Sequence, residues 1–193
     1  MRFVAPVLRP FVMALAGLLV LVPSGKSSRL FYKRGRPTRT GRAVNRFWSW
    51  LVSSGLTPER WPGTPVIGPL TLETKGRKSG EPCSNMVTWV EHNGNRYLVS
   101  MLGERSDWVR NSRADGGKAF ARYGKRRPVR LEEVPLPERA PIIQAWFGRT
   151  YGSTEHHLGV KRSDPIEEFE RIAPAHPVFQ IVESNPQPPA SSH

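Results

Sequence analysis

The sequence predicts an α+β protein built as a small barrel of about six mostly antiparallel strands, with flanking helices and an apolar, then amphipathic, N-terminal helical segment. Three observations carry this. The chain has 19 prolines and 17 glycines in 193 residues, which disfavours a helical bundle and suits short strands joined by turns. Apolar and polar residues alternate in several short stretches, the period of a half-buried strand. His92-Asn93-Gly94-Asn95 contains Asn-Gly, a strong hairpin signal, and hairpins favour an antiparallel barrel over a parallel sheet. The length allows one domain with a real core and is short for two.

Strands are expected at Pro69–Thr74, Asn85–Glu91, Arg96–Met101, Lys118–Tyr123, Val129–Val134 and Pro177–Val182. The fourth and fifth are joined by the basic turn Gly124-Lys125-Arg126-Arg127-Pro128. A helix is expected over Gly41–Leu56, because Val44, Phe47, Trp48, Leu51 and Val52 recur at three- and four-residue steps and Gly55 and Pro58 close the run. This amphipathic helix either packs on the domain or rests on lipid, and packing is the simpler reading. Ser106–Arg113, Pro137–Arg149 and Pro165–Ile172 read as further helices. The organisation is an apolar segment over 1–25, a basic linker and helix over 26–60, a cofactor-binding barrel over 61–184 and a polar, proline-rich tail over 185–193 expected to be disordered. Trp61-Pro62-Gly63-Thr64-Pro65 is the breaker before the barrel.

The N-terminus is apolar without interruption from Phe11 to Val22. As a helix that run reaches about 18 Å, short of a hydrocarbon core of roughly 30 Å. A signal peptide is the rival reading, since Arg2 and Arg9 precede the run, but no Ala-x-Ala site follows. Lys26, Arg29, Lys33, Arg34, Arg36, Arg39, Arg42 and Arg46 come instead, a run that resists translocation and suits anionic lipid. The expectation is the cytoplasmic face of the membrane, or the cytoplasm. Gly25-Lys26-Ser27 is not a phosphate-binding P-loop, because Val20 stands where that loop needs glycine.

A formal charge of +13 makes three partners compatible: nucleic acid, an anionic leaflet, or an acidic small molecule. Cys83 is the only cysteine, so neither an intramolecular disulfide nor a four-cysteine zinc site can form. His156-His157 point apart on a helix or strand and lack a clear third ligand nearby, so no metal is expected.

Two features carry chemistry. Gly76-Arg77-Lys78-Ser79-Gly80 sits between two expected strands. Its glycines permit a tight turn with exposed amides, while Arg77, Lys78 and Ser79 add charged and hydroxyl donors. Those parts suit a phosphate or carboxylate; the plainer alternative is a solvated basic loop. The second feature is Ser106-Asp107-Trp108-Val109-Arg110-Asn111. Ser106 or Asp107 can cap a helix whose first amides face an anion, and Trp108 offers a flat face to a ring system or simply anchors the core. No Gly-x-Gly-x-x-Gly turn is present, which argues against a Rossmann domain.

Together these features resemble the deazaflavin (F420)-dependent nitroreductase and quinone reductase family of actinobacteria. The similarity runs from about Pro69 to Arg130 and less clearly to Val182. The resemblance implies a split, FMN-binding-like β-barrel that binds coenzyme F420, whose reduced form gives a hydride to a quinone, enone or nitro compound. It assigns the cofactor's phosphate and tail to Arg77, Lys78 and Ser79, and its ring to Cys83, Ser84, Asn85, Met86, Val87 and Thr88. Leu98, Val99, Ser100 and Met101 with Asp107, Trp108, Val109, Arg110 and Asn111 complete the implied pocket. Ser100 is the implied hydrogen-bond donor near the reactive edge, and Tyr151 is a candidate for shaping the acceptor's pocket. Family members often carry arginine where this chain has Cys83, which makes this cradle less basic. A homodimer is compatible with the resemblance. Three other functions remain open from the sequence: an FMN-dependent oxidoreductase on a similar barrel, a basic nucleic-acid-binding module, and a non-catalytic F420 carrier. The nucleic-acid reading is disfavoured because the positive residues cluster before the barrel and no aromatic-rich single-strand motif appears.

Overall fold

The computed structural model describes residues 32–33, 36–55, 60, 66–150 and 158–184. Two short strands, β1 (Tyr32–Lys33) and β2 (Arg36–Pro37), lead into helix α1 (Arg39–Ser53). The remaining elements are β3 (Ile67–Lys75), β4 (Pro82–His92), β5 (Asn95–Val99), a 3-10 turn over Gly103–Arg105, α2 (Asp107–Ala114), β6 (Lys118–Tyr123), β7 (Lys125–Glu133), α3 (Leu136–Arg149), α4 (Ile166–Ile172), a second 3-10 turn over Ala173–Ala175, and β8 (Val178–Glu183). The predicted N-terminal apolar segment, the breaker at Trp61–Pro65, His156-His157, Tyr151 and the tail from 185 onward lie outside the described residues.

Six strands close into an antiparallel barrel in the order β3-β4-β5-β8-β7-β6. The Asn-Gly hairpin forms as expected: His92 faces Asn95, and Asn93 and Gly94 adopt positive φ of 49° and 76°, the geometry that follows a sheet's twist. Strand alternation sends one set of residues inward. Leu70, Leu72, Trp89, Leu98, Ala119, Val129, Leu131 and Phe179 form one buried cluster, joined across the strands at Leu98–Trp89, Leu98–Phe179 and Ala119–Val129. Trp108 and Val109 of α2 enter the same cluster. A second cluster lies between the barrel and α3 and α4, where Ile67, Val90, Val99 and Val178 meet Ile143, Trp146, Phe147 and Phe169.

Two expectations need correction. The basic stretch after Tyr123 is not a five-residue turn. Gly124, at φ +62°, reverses the chain alone, and Lys125–Pro128 pair with β6. Pro128 is tolerated there because β7 meets β8 only from Val129 onward, so its missing N–H breaks no ladder bond on that side. The buried stripe of α1 also differs from the apolar pattern. Gly41, Ser49, Leu51 and Val52 face the barrel, whereas Phe47 is exposed. Thr38 caps α1 by accepting from the Gly41 N–H at 3.0 Å. Thr71 donates its hydroxyl to the Ser49 carbonyl at 2.8 Å, which fixes α1 across the outer face of β3. At its far end, Gly55 approaches the Gly124 backbone so closely that a Cβ would sit 3.1 Å from the Gly124 Cα.

Candidate functional site

The turn Gly76–Gly80 closes on itself before it touches anything else. The Gly76 N–H donates to the Glu81 carbonyl at 2.8 Å, and the Gly80 N–H to the Gly76 carbonyl at 2.7 Å. Gly80 sits at φ +74°, a left-handed conformation that costs a non-glycine residue. At Gly76 the demand is for space, since a Cβ there would lie 2.6 Å from Ser79 Oγ. Ser79 Oγ in turn accepts from the Glu81 N–H at 3.3 Å. Among the described residues no protein acceptor takes the Lys78 or Ser79 N–H. The Lys78 side chain lies on the exposed surface of the same turn.

Helix α2 brings the second predicted motif onto the first. Asn111 is 2% exposed, and its Oδ1 accepts from the Arg77 N–H at 3.2 Å and from the Arg77 guanidinium at 3.0 Å. Its Nδ2 donates to Thr74 Oγ1 at 3.3 Å. Asp107, one helical turn away and therefore on the same face, accepts from the Arg77 guanidinium at 3.0 Å. The predicted anion donors are thus unequal. Arg77 is tied into the protein, whereas Lys78 has no protein partner among the described residues.

The two expected caps behave differently. Ser106 occupies the N-cap position of α2 but makes no side-chain cap. Its hydroxyl lies 2.7 Å from Ser100 Oγ. Ser100 donates its single proton to the Gly103 carbonyl at 2.8 Å, so Ser106 must be the donor to Ser100. Asp107 supplies a carboxylate to the first turn, where it opposes the helix dipole's positive end. Ser100, the predicted catalytic hydroxyl, is fully buried, with Gly103 and Ser106 as its hydrogen-bond partners.

The stretch predicted to line a ring divides by strand period. Val87 packs with the inner cluster, and Cys83 and Asn85 share its face opposite Thr74 and Leu72. Ser84, Met86 and Thr88 fall on the other face. On β4 the Met86 N–H donates to Asn45 Oδ1 of α1 at 3.2 Å, and the Thr88 carbonyl accepts from Trp146 Nε1 of α3 at 3.2 Å. One planar ligand can therefore touch one set of three, not all six. Leu98, Val99, Trp108 and Val109 are core residues, and Trp108 meets Phe179 edge-on at 5.4 Å instead of presenting its face at the surface. Arg110 is exposed and donates to the Glu104 carbonyl, and Cys83 is half-buried.

Met101 does line a recess, with Leu102, Gly103, Glu104, Arg105, Ala175 and His176, of about 320 Å³. His176 went unnoticed in the sequence, where a lone histidine before a proline carries no signal. It is 8% exposed and its Nδ1–H donates to the Ser100 carbonyl at 2.9 Å. Burial lowers its pKa from the usual 6.5, and the Ser100 bond partly opposes this. The rim is held by ion pairs: Arg113 contacts Glu104 at 2.5 Å and Glu133 at 2.7 Å, and Arg139 contacts Glu133 at 2.9 Å. The Arg113 hydrogen bonds hold both carboxyls below their ordinary range. Among the described residues no three histidine, cysteine or acidic side chains converge as a metal site.

Comparison with known proteins gives one family match: the sequence model of F420H(2)-dependent quinone reductases covers residues 45–156, more than half of the chain. No curated protein matches the sequence. Among solved structures, an F420-H2 dependent reductase (FDR-A) is similar at 20% identity and a TM-score of 0.39, covering 58% of this chain and 92% of that one. An F420 reductase is similar at 14% identity and 0.37, covering 66% and 90%. The heme storage protein HutZ from Vibrio cholerae is similar at 12% identity and 0.38, covering 61% and 82%.

Proposed function

The chain belongs to the F420H(2)-dependent quinone reductase family and is an oxidoreductase, and on that premise we propose that it transfers a hydride from reduced coenzyme F420 to a quinone, with enones and nitro compounds as further acceptors. The observation that carries the reading is the turn Gly76–Gly80. It has a charged lysine and two amides without protein acceptors among the described residues, on a loop fixed by Asn111. That donor set fits a phosphate or carboxylate, as the coenzyme requires. When bound, the reduced deazaflavin supplies the hydride.

The protein's own residues bind and position. Lys78 neutralises an anionic group on the cofactor, and the amides of Lys78 and Ser79 donate to it. Ser79 Oγ accepts from the Glu81 N–H and keeps its own proton to donate to an anionic group. Arg77, clamped by Asn111 and Asp107, shapes the loop and adds field. Ser100 is a positioning residue that holds the Gly103 loop. The recess combines apolar Met101, Leu102 and Ala175 with polar His176, a lining suited to a flat ring with polar edges.

The test is an F420 binding titration with FMN in parallel, followed by F420H2 consumption on addition of menadione. F420 retention and turnover are expected, with Lys78→Ala weakening F420 binding tenfold to a hundredfold, as loss of a charge-assisted contact of roughly 1.5–3 kcal/mol implies. Tight FMN binding without F420 retention would sink the reading, and unchanged affinity in Lys78→Ala would remove the cradle. The FMN alternative draws no support from the family match.

A further inference from the structure

Resting on the reading of the recess as a ring site, we propose that His176 Nε2 is its hydrogen-bond acceptor, which selects a planar ligand carrying an N–H or O–H donor on its edge. The tautomer is set by the partner of the other nitrogen. The Ser100 carbonyl, 2.9 Å from Nδ1, can only accept, so Nδ1 carries the proton and Nε2 the lone pair. Among the described residues, Ser49 Oγ is the one buried side-chain polar atom without a hydrogen bond. Nε2 has no protein partner among those residues, so it is reachable from solvent, on a residue that lines the recess. Proline at 177 disfavours helical backbone at His176, and the chain leaves the 3-10 turn there at φ −120° and ψ 87°.

The imidazole is held before any ligand arrives. The Ser100 N–H donates to the Pro177 carbonyl at 2.9 Å, while the Ser100 carbonyl takes the His176 ring proton. Gly103 closes the recess against the same segment, so tightly that a Cβ would lie 2.3 Å from the Ala175 carbonyl oxygen. A group fixed in this way loses little freedom on binding. Glu104, the other acceptor side chain of the lining, spends both carboxylate oxygens on Arg113, at 2.5 and 3.0 Å. Met101, Leu102 and Ala175 are apolar, and Arg105 is a cation with donors only. Burial holds the His176 pKa below its usual 6.5, and Glu104, its neighbour in the lining, is neutralised by Arg113. The ring is therefore neutral at pH 7 and Nε2 accepts. A ligand carbonyl at this point would set lone pair against lone pair, and an apolar edge would leave Nε2 unpaired. A ring N–H or a hydroquinone O–H satisfies it; a quinone carbonyl does not.

The experiment uses the full chain and two redox-silent probes. Lumichrome has two ring N–H donors, and 1,3-dimethyllumichrome has both replaced by methyl groups. In equilibrium dialysis, wild type is expected to bind lumichrome about tenfold more tightly, the scale of one buried acceptor left unpaired. His176→Asn keeps a donor for the Ser100 carbonyl and has nothing at the Nε2 position. It is expected to bind the two probes alike, and the steric effect of the methyl groups cancels in the comparison. In wild type with nitrogen-labelled histidine, lumichrome is expected to shift the His176 Nε2 resonance and the dimethyl compound to leave it in place; His176→Gln assigns that resonance should His176→Asn fail to fold. The same selectivity in both proteins, no retention of lumichrome by wild type, or an unmoved Nε2 resonance would each overturn the proposal. An F420 titration run in parallel separates this outcome from failure of the cofactor reading. Lumichrome selectivity without F420 retention sinks the cofactor reading alone, and F420 retention without selectivity sinks the acceptor role alone.

Discussion

Asn111 grips Arg77 twice, through the backbone N–H and through the guanidinium, with a single carbonyl oxygen. The two residues are far apart in sequence, and the contact joins the turn Gly76–Gly80 to the helix beside it. Asn111→Ala leaves the part-buried Arg77 N–H and the buried Thr74 hydroxyl without their partner, which costs roughly 1–3 kcal/mol. A tenfold or greater loss of F420 affinity is expected alongside, because the turn is no longer held. Urea unfolding and cofactor titration read the two effects separately. A fully stable variant with wild-type affinity would show that the clamp does nothing.

The two glycines of the turn differ in what they forbid. Gly76→Ala drives a Cβ against Ser79 Oγ, so Ser79 must give up the Glu81 N–H, and F420 affinity is expected to fall. Gly80→Ala meets nothing within 4 Å but holds a side chain at positive φ, at a cost of roughly 1–2 kcal/mol. Its affinity is expected to change less than that of Gly76→Ala. Equal affinities in the two variants would show that Ser79 has no part in binding.

Trp108 ties α2 to the inside of the barrel. Trp108→Ala is expected to cost roughly 3–5 kcal/mol, the range for a buried aromatic, whereas Trp108→Phe keeps a ring against Phe179 and costs much less. Chemical denaturation of both variants checks this. A small loss in Trp108→Ala would mean that the indole is not part of the core.

His176 is buried neutral, with its Nδ1–H on the Ser100 carbonyl. Its folded pKa lies below 6.5, so the unfolded chain takes up the proton first as pH falls. Stability therefore drops from pH 6.5 downward until the folded pKa is reached. His176→Asn retains a donor near Nδ1 and cannot titrate, so its stability is expected to depend less on pH over that window. Denaturation midpoints across the window test the sign; an unchanged slope would place the imidazole in solvent.

Periodicity made the barrel legible, because strand alternation and hairpin turns are written in neighbouring residues. Its limits were set by partners. β4 extends back to Pro82 and β7 to Lys125 because β3 and β6 run alongside them, and nothing local in those residues says so. Phe47 matched the helix period yet faces outward, since the barrel meets a stripe centred on small residues such as Gly41 and Ser49. Both chemical motifs could be read separately. Their union through Asn111 could not, nor could the diversion of Ser106 from capping to Ser100, because each depends on a contact between distant elements.

The short β5 has a consequence for the flank of β4. It pairs with β4 only at Trp89–His92, so the earlier part of β4 has one flank outside the ladder. Asn45 and Trp146 occupy backbone groups of Met86 and Thr88 there, one from each of two helices. These side chains act as stoppers on a strand edge that would otherwise template another chain. Surface helices in this fold thus do protective work as well as covering the core, and their loss would surface first as misassembly during folding rather than as a weaker native state.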